Sequence, residues 1–173
     1  MEFLALIKER IPDYAKDIRL NLDGTIARSS LAGNDAVGVA LAAAFAAKSR
    51  FIIDAIEGAG LLAPEEATAA KTAAALMGMN NAWYPFVDMA DDADLKSQPA
   101  QLRMNAYASF GGVDKRRFEM YALAASIVGK CHFCVKSHFD LLKQEGMSSQ
   151  QLRDVGRIAA VVNAAAQVLA ASA

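Results

Sequence analysis

Proline is scarce in this chain, 4 of 173 residues, and aromatic residues make up only 8%. Strands are built largely from Val, Ile and aromatics, whereas Ala, plentiful here, is the strongest helix former. The shortage therefore speaks against sheets and for an all-α fold. Charge of either sign is also without excess: the net value is −1, with acids and bases spread along the chain, so there is no basic footprint for nucleic acid or an anionic membrane surface. The most apolar run, Ala36 to Ala47, spans 12 residues between Asp35 and Lys48, too short for a bilayer that needs about 20. It reads as a buried core helix.

The amino terminus lacks the basic start of an export signal: Glu2 stands there instead, and Lys8 and Glu9 break the apolar stretch. A cytoplasmic location without membrane association is expected. There are only two cysteines, and in a reducing compartment a pair is a poor structural staple, which leaves chemistry or metal binding. The length suits one domain over residues 1–173 with a core of its own.

What is present is a series of about seven helical segments. Pro12 fits a first helical position for 12–27, with Ile18 and Leu22 on one face. A helix over 36–48 follows, then a short one from Ser49 to Gly58, then a longer one opened by Pro64, Glu65 and Glu66 and limited by Pro85. Residues 88–103 are the most polar stretch and read as an exposed loop, with a short helix over 104–110. Asp114 is a natural N-cap and Gly129 a stop for the next helix. A helix over 131–145, closed by Gly146, leads to a last one capped by Ser148 and Gln151. Shifting the chain by 51 residues lays Ala73, Ala74 and Gly78 over Ala124, Ala125 and Gly129. This echo suggests an internal helical duplication whose first copy carries Asn80 and Trp83 in place of the cysteines.

Both cysteines and both histidines fall between residues 131 and 138, in "CHFCVKSH". At about 100° per residue, Cys131, Cys134 and His138 share an arc of about 60° on one helix face, while His132 and Phe133 point elsewhere. Two sulfurs at the head of a helix are within disulfide reach, and the positive helix terminus favours thiolate. His138, one turn beyond Cys134, is placed to accept its proton directly or through water. The helix terminus favours Cys131 as the more acidic thiol, and the histidine register favours Cys134.

Other uses of the same residues remain. Zinc would find three ligands here but lacks a second knuckle; a thioredoxin-type domain would need strands that "FEMYALAASIVGK" does not supply; and buried cysteines can be plain core residues. Glu119 is the only residue between Phe118 and Val128 that is charged at neutral pH. It stands either at the edge of a buried face, the simpler local reading, or in a cleft where desolvation would make it a usable base. Met77, Met79, Met104 and Met120 read as core filler, or as packing between subunits.

The run "EMYALAASIVGKCHFCVKSH" resembles the active-site segment of the alkyl hydroperoxide reductase D family, also called alkylhydroperoxidase D, within the carboxymuconolactone decarboxylase-like superfamily. "IPDYAKDIRLNL", "ALMGMNNAWY" and "LRMN" resemble it too, so the likeness spans most of the chain. The resemblance implies a compact all-α domain, with active-site segment 114–146, that assembles as a homo-oligomer such as a trimer. It implies a thiol antioxidant that binds no cofactor, reduces alkyl hydroperoxides and passes electrons to a partner peroxiredoxin, the C subunit of alkyl hydroperoxide reductase. The implied reductant is dihydrolipoamide, carried by a lipoyl-bearing acyltransferase and regenerated by dihydrolipoamide dehydrogenase.

Carried onto matching positions, Cys134 would become the sulfenic acid, Cys131 would donate a proton and close the disulfide, and Glu119 and His138 would relay protons. Some members carry a histidine just before the second cysteine, where this chain has Phe133; His132 is left out of the relay. Two alternatives stand beside this reading: a carboxymuconolactone decarboxylase-like enzyme, which has no need of a dithiol, and a non-enzymatic thiol sensor.

Overall fold

Helices alone build the computed structural model, which describes residues 1–172; no strand occurs among them. In chain order they are α1 (Glu2–Glu9), α2 (Lys16–Leu22), α3 (Gly33–Ala46), α4 (Arg50–Gly58), α5 (Pro64–Ala90), α6 (Ala93–Ser97), α7 (Asn105–Ala108), α8 (Lys115–Val128), α9 (His132–Gln144) and α10 (Ser149–Ala171). The all-α expectation holds. The apolar run is the central helix α3, buried without interruption from Asp35 to Ala44 and packed on α4, α5, α8 and α10. Its small side chains let neighbours come close: a Cβ on Gly38 would lie 2.5 Å from the Tyr121 ring of α8. Tyr121, Phe118 and Leu123 on α8 are buried, each contributing roughly 1.5–3 kcal/mol by leaving water.

α10 is long and apolar enough, by length and composition, to cross a membrane. Here Leu152, Val155, Ile158, Ala159 and Val162 form a buried stripe that packs on α3 and α8. Asp154, on the same buried side, accepts hydrogen bonds from Ser30 N–H (2.8 Å) and Ser30 Oγ (2.7 Å), pinning the loop before α3.

Two expectations about helix ends are corrected, at Pro12 and at Pro85, while the end of the first segment at Ala27 holds. Pro12 is extended, not helical, and precedes a 3₁₀ turn over Asp13–Ala15. That geometry carries the chain from α1 to α2 while keeping Ile11 in the core. The segment then ends in a π-turn over Asp23–Ala27, where Thr25 Oγ1 bonds back to the Asn21 carbonyl. The second correction concerns Pro85, which does not end its helix: α5 runs on to Ala90. Proline's φ suits a helix; the N–H that would reach the Asn81 carbonyl is lost and the ring crowds that carbonyl, but both costs are local to one turn. Residues 91–103 are exposed apart from Leu95 and Ala100, as expected of the polar stretch, with α6 as a single turn capped by Asp92. As for the repeated pattern, α5 passes Gly78 unbroken whereas the later stretch turns at Gly129.

A single guanidinium ties the helices that surround the site. Arg117 of α8 binds Asp35 of α3 at 2.7 Å and Glu66 of α5 at 2.7 Å. The Asp35 hydrogen bond, against an opposing effect of burial, holds this guanidinium even above its usual range.

Candidate active site

The turn between α8 and α9 decides where the cysteines sit. Gly129 caps α8 in right-handed geometry, and Lys130 takes the left-handed position at φ 57°. Lys130 N–H bonds to the Ile127 carbonyl and Cys131 N–H to that of Ser126, a Schellman closure with a lysine where glycine is usual. The stop lies where Gly129 predicts, but Gly129 serves another purpose: a Cβ there would stand 2.0 Å from Asn81 Nδ2 of α5, a side chain held by its bond to the Ala125 carbonyl. Glycine is required because α5 passes this close.

Cys131 is thus the N-cap of α9 and not part of the helix. Its Sγ accepts the N–H of Cys134 at 3.2 Å, as a capping oxygen would. The two sulfurs are bonded, with Cα atoms 5.3 Å apart. Both residues are buried, Cys131 at 0% exposure and Cys134 at 3%. His132 and Phe133 are exposed, but the expectation that Phe133 points away from the sulfurs is corrected: it borders the same cavity as Cys134. Lys136 pairs with Asp140 on the outer face of α9.

Glu119 is fully buried, so the edge reading is overturned; its position in α8 points across to α9 and not to water. Its Oε2 lies 2.5 Å from His138 Nδ1, and Tyr107 of α7 donates its hydroxyl to Oε1. The Tyr107 hydroxyl is pushed well above the usual phenol range, first by burial and then by the Glu119 bond, so it remains a donor. With Nδ1 bonded to the carboxylate, His138 turns Nε2 toward Met77 Sδ of α5 at 3.1 Å.

Cys134 and His138 line one cavity of 140 Å³ with Met77, Asn80, Met104 and Tyr107. Cys131 stands behind Cys134 and does not line it. Among the described residues no direct His138–Cys134 hydrogen bond forms while the sulfurs are joined. Sequence reasoning missed Tyr107, Asn80 and Tyr84 as neighbours of the site, and took Met77 and Met104 for packing alone. Met77, Asn80 and Tyr84 follow a three-and-four spacing, so one face of α5 was detectable. What that face meets was not. Tyr107 sits in a four-residue helix with no pattern to mark it.

Curated relatives align along almost all of the chain. An alkyl hydroperoxide reductase AhpD from Rhodospirillum centenum is 46% identical over 169 residues, covering 96% of this chain and 90% of the relative. This chain belongs to the AhpD family. AhpD proteins from Rhodopseudomonas palustris (41% identical, 98% of this chain and 94% of the relative) and Coxiella burnetii (41%, 95% and 96%) agree. The model of the carboxymuconolactone decarboxylase family also matches residues 93–173. That stretch contains Tyr107, Glu119, both cysteines and His138, so in this AhpD-family chain the matched region supplies one side of the cavity, and Met77, Asn80 and Tyr84 of α5, outside it, supply the other.

Proposed function

We propose that the protein is a thiol-dependent alkyl hydroperoxide reductase in which Cys134 is the peroxide-reacting sulfur. The observation that carries the reading is the Cys131–Cys134 disulfide with only Cys134 on the cavity shared with His138, itself bonded to buried Glu119. In the reduced protein, His138 Nε2 takes the Cys134 proton, and Glu119 stabilises the imidazolium through Nδ1. The thiolate attacks the terminal peroxide oxygen; the O–O bond breaks, Cys134 becomes a sulfenic acid, and the alkoxide leaves as alcohol after taking a proton. The Cys131 thiol, losing its proton, displaces hydroxide from the sulfenic acid, which leaves as water and closes the disulfide.

Two electrons from an external dithiol reopen it by exchange through a mixed disulfide. Dihydrolipoamide, supplied by a lipoyl-bearing acyltransferase and dihydrolipoamide dehydrogenase, is the reductant we favour. The same dithiol can reduce a partner peroxiredoxin, the C subunit of the system named by the relatives, by disulfide exchange. The reading places the protein in a reducing cytoplasm with no bound cofactor. It also takes the chain to form a homo-oligomer, a trimer by resemblance, to which exposed Leu20 and Phe86 offer apolar surface; sedimentation equilibrium measures the size.

The test mixes protein, dihydrolipoamide and an organic hydroperoxide and follows thiol loss, with and without the peroxiredoxin. Repeated turnover is expected. One stoichiometric oxidation would favour a thiol sensor, and no oxidation at all would end the redox reading.

A further inference from the structure

A second concavity adjoins the first. It measures 670 Å³ and is walled by Tyr84, Pro85, Met89 and Phe133, with Lys130 from the turn after α8 and His132 from the start of α9. Pockets that enclose small organic molecules run from about 300 to 1,000 Å³; this groove falls in that range and the 140 Å³ cavity does not. Tyr84 and Phe133 line both spaces. Their rings stack with centroids 4.4 Å apart and planes 26° apart, so the pair forms the shared wall.

Resting on the peroxidase reading above, we propose that the Tyr84–Phe133 stack is a gate between the outer groove and the Cys134 cavity, selecting reactants by the bulk of their organic part. Cys134 is almost wholly covered, so a reactant must enter the inner cavity to touch sulfur. That cavity admits a hydroperoxide head on a slim alkyl chain, while a branched or aryl body stays in the groove until the rings part. Phe133 has room to swing, since it is 59% exposed. Tyr84 directly precedes Pro85, whose missing N–H frees this turn of α5 from its bond to Asn81. The assignment also gives His132 and Lys130 a place, at the rim of the groove and outside the proton relay.

The test uses the full reduced chain and two independent readouts. Alkylation of Cys134, mapped by mass spectrometry, is timed with iodoacetamide and with pyrenyl maleimide. Single-turnover oxidation is timed with hydrogen peroxide and with cumene hydroperoxide. Phe133→Ala and Tyr84→Ala should each raise the ratio of bulky-reagent to small-reagent rate by about tenfold, whatever each does to the small-reagent rate itself. Phe133→Trp, which keeps the stack and adds bulk, should slow only the bulky pair. Equal changes for small and bulky reagents, or none in either, would overturn the gate. Size selection in alkylation by a wild-type protein that consumes no peroxide would sustain the gate and remove the peroxidase reading instead. Phe133 is largely exposed, so its variants should fold, and circular dichroism checks this.

Discussion

Glu119 and His138, 19 residues apart in sequence, meet at 2.5 Å in a place almost closed to water. A fully buried carboxylate is costly unless its oxygens are satisfied, and here Tyr107 and His138 take one oxygen each. On the proposed reaction, Glu119→Gln keeps the shape but removes the charge that steadies an imidazolium. Thiol oxidation in single turnover should slow by about a hundredfold or more, while urea unfolding changes little. Wild-type rates across the pH range would return Glu119 to a structural part.

Tyr107 holds the other oxygen of the same carboxylate. Because its hydroxyl titrates far above the usual phenol range, it stays protonated at every pH at which the protein is assayed. Tyr107→Phe should therefore leave the pH–rate profile without a lost alkaline limb, yet lower the rate throughout. It should also cost about 1–3 kcal/mol in urea denaturation, since a buried acceptor loses its donor. A profile that changes shape at alkaline pH would show Tyr107 to be a titrating member of the relay.

The two cysteines differ in access, because Cys134 lines the cavity and Cys131 does not. Cys134→Ser should abolish peroxide turnover. Cys131→Ser should still react once and retain a sulfenic acid at Cys134 that dimedone traps as a mass adduct. An adduct on Cys131 in the converse variant would reverse the two roles.

Asp154, buried on α10, has a carboxyl held below its usual range: burial pushes it up, but the Ser30 N–H and hydroxyl, Arg157 and Arg153 outweigh that. A folded-state value below the unfolded one, about 3.9, gives stability that is present above that pH and lost as pH falls through the folded value. Asp154→Asn should cost about 1–3 kcal/mol near neutral pH. The gap to wild type should narrow below about pH 4. Urea titrations at the two pH values measure both, and a constant gap would rule out the carboxylate as the cause.

Much of this was legible in the chain. Capping residues are local chemistry, so Asp114 and the Ser148–Gln151 box mark helix starts that the structure reproduces through bonds to Arg117 and Gln151 N–H groups. The register of Cys134 and His138 is likewise local, one turn apart on one helix, and both are buried there. Pro85 misled because its cost, one lost bond and a crowded Asn81 carbonyl, is confined to one turn, which a long packed helix tolerates.

The order of residues by itself determined that the chain is helical, where most helices begin, and that Cys134 and His138 share a face, because these follow from contacts within a few residues; Cys131, expected on that face, is instead the extended N-cap and stays off the cavity. Only tertiary structure decided that Glu119 turns inward, that Tyr107 and Met77 flank the relay, and that Tyr84 closes on Phe133. Those pairs join residues far apart in the chain, and nothing in local spacing specifies which face of α5 or α7 will lie against α9. The reason is steric as well: Gly129 stands where Asn81 passes and Gly38 where Tyr121 lies, and such near approaches exist only once the helices have packed.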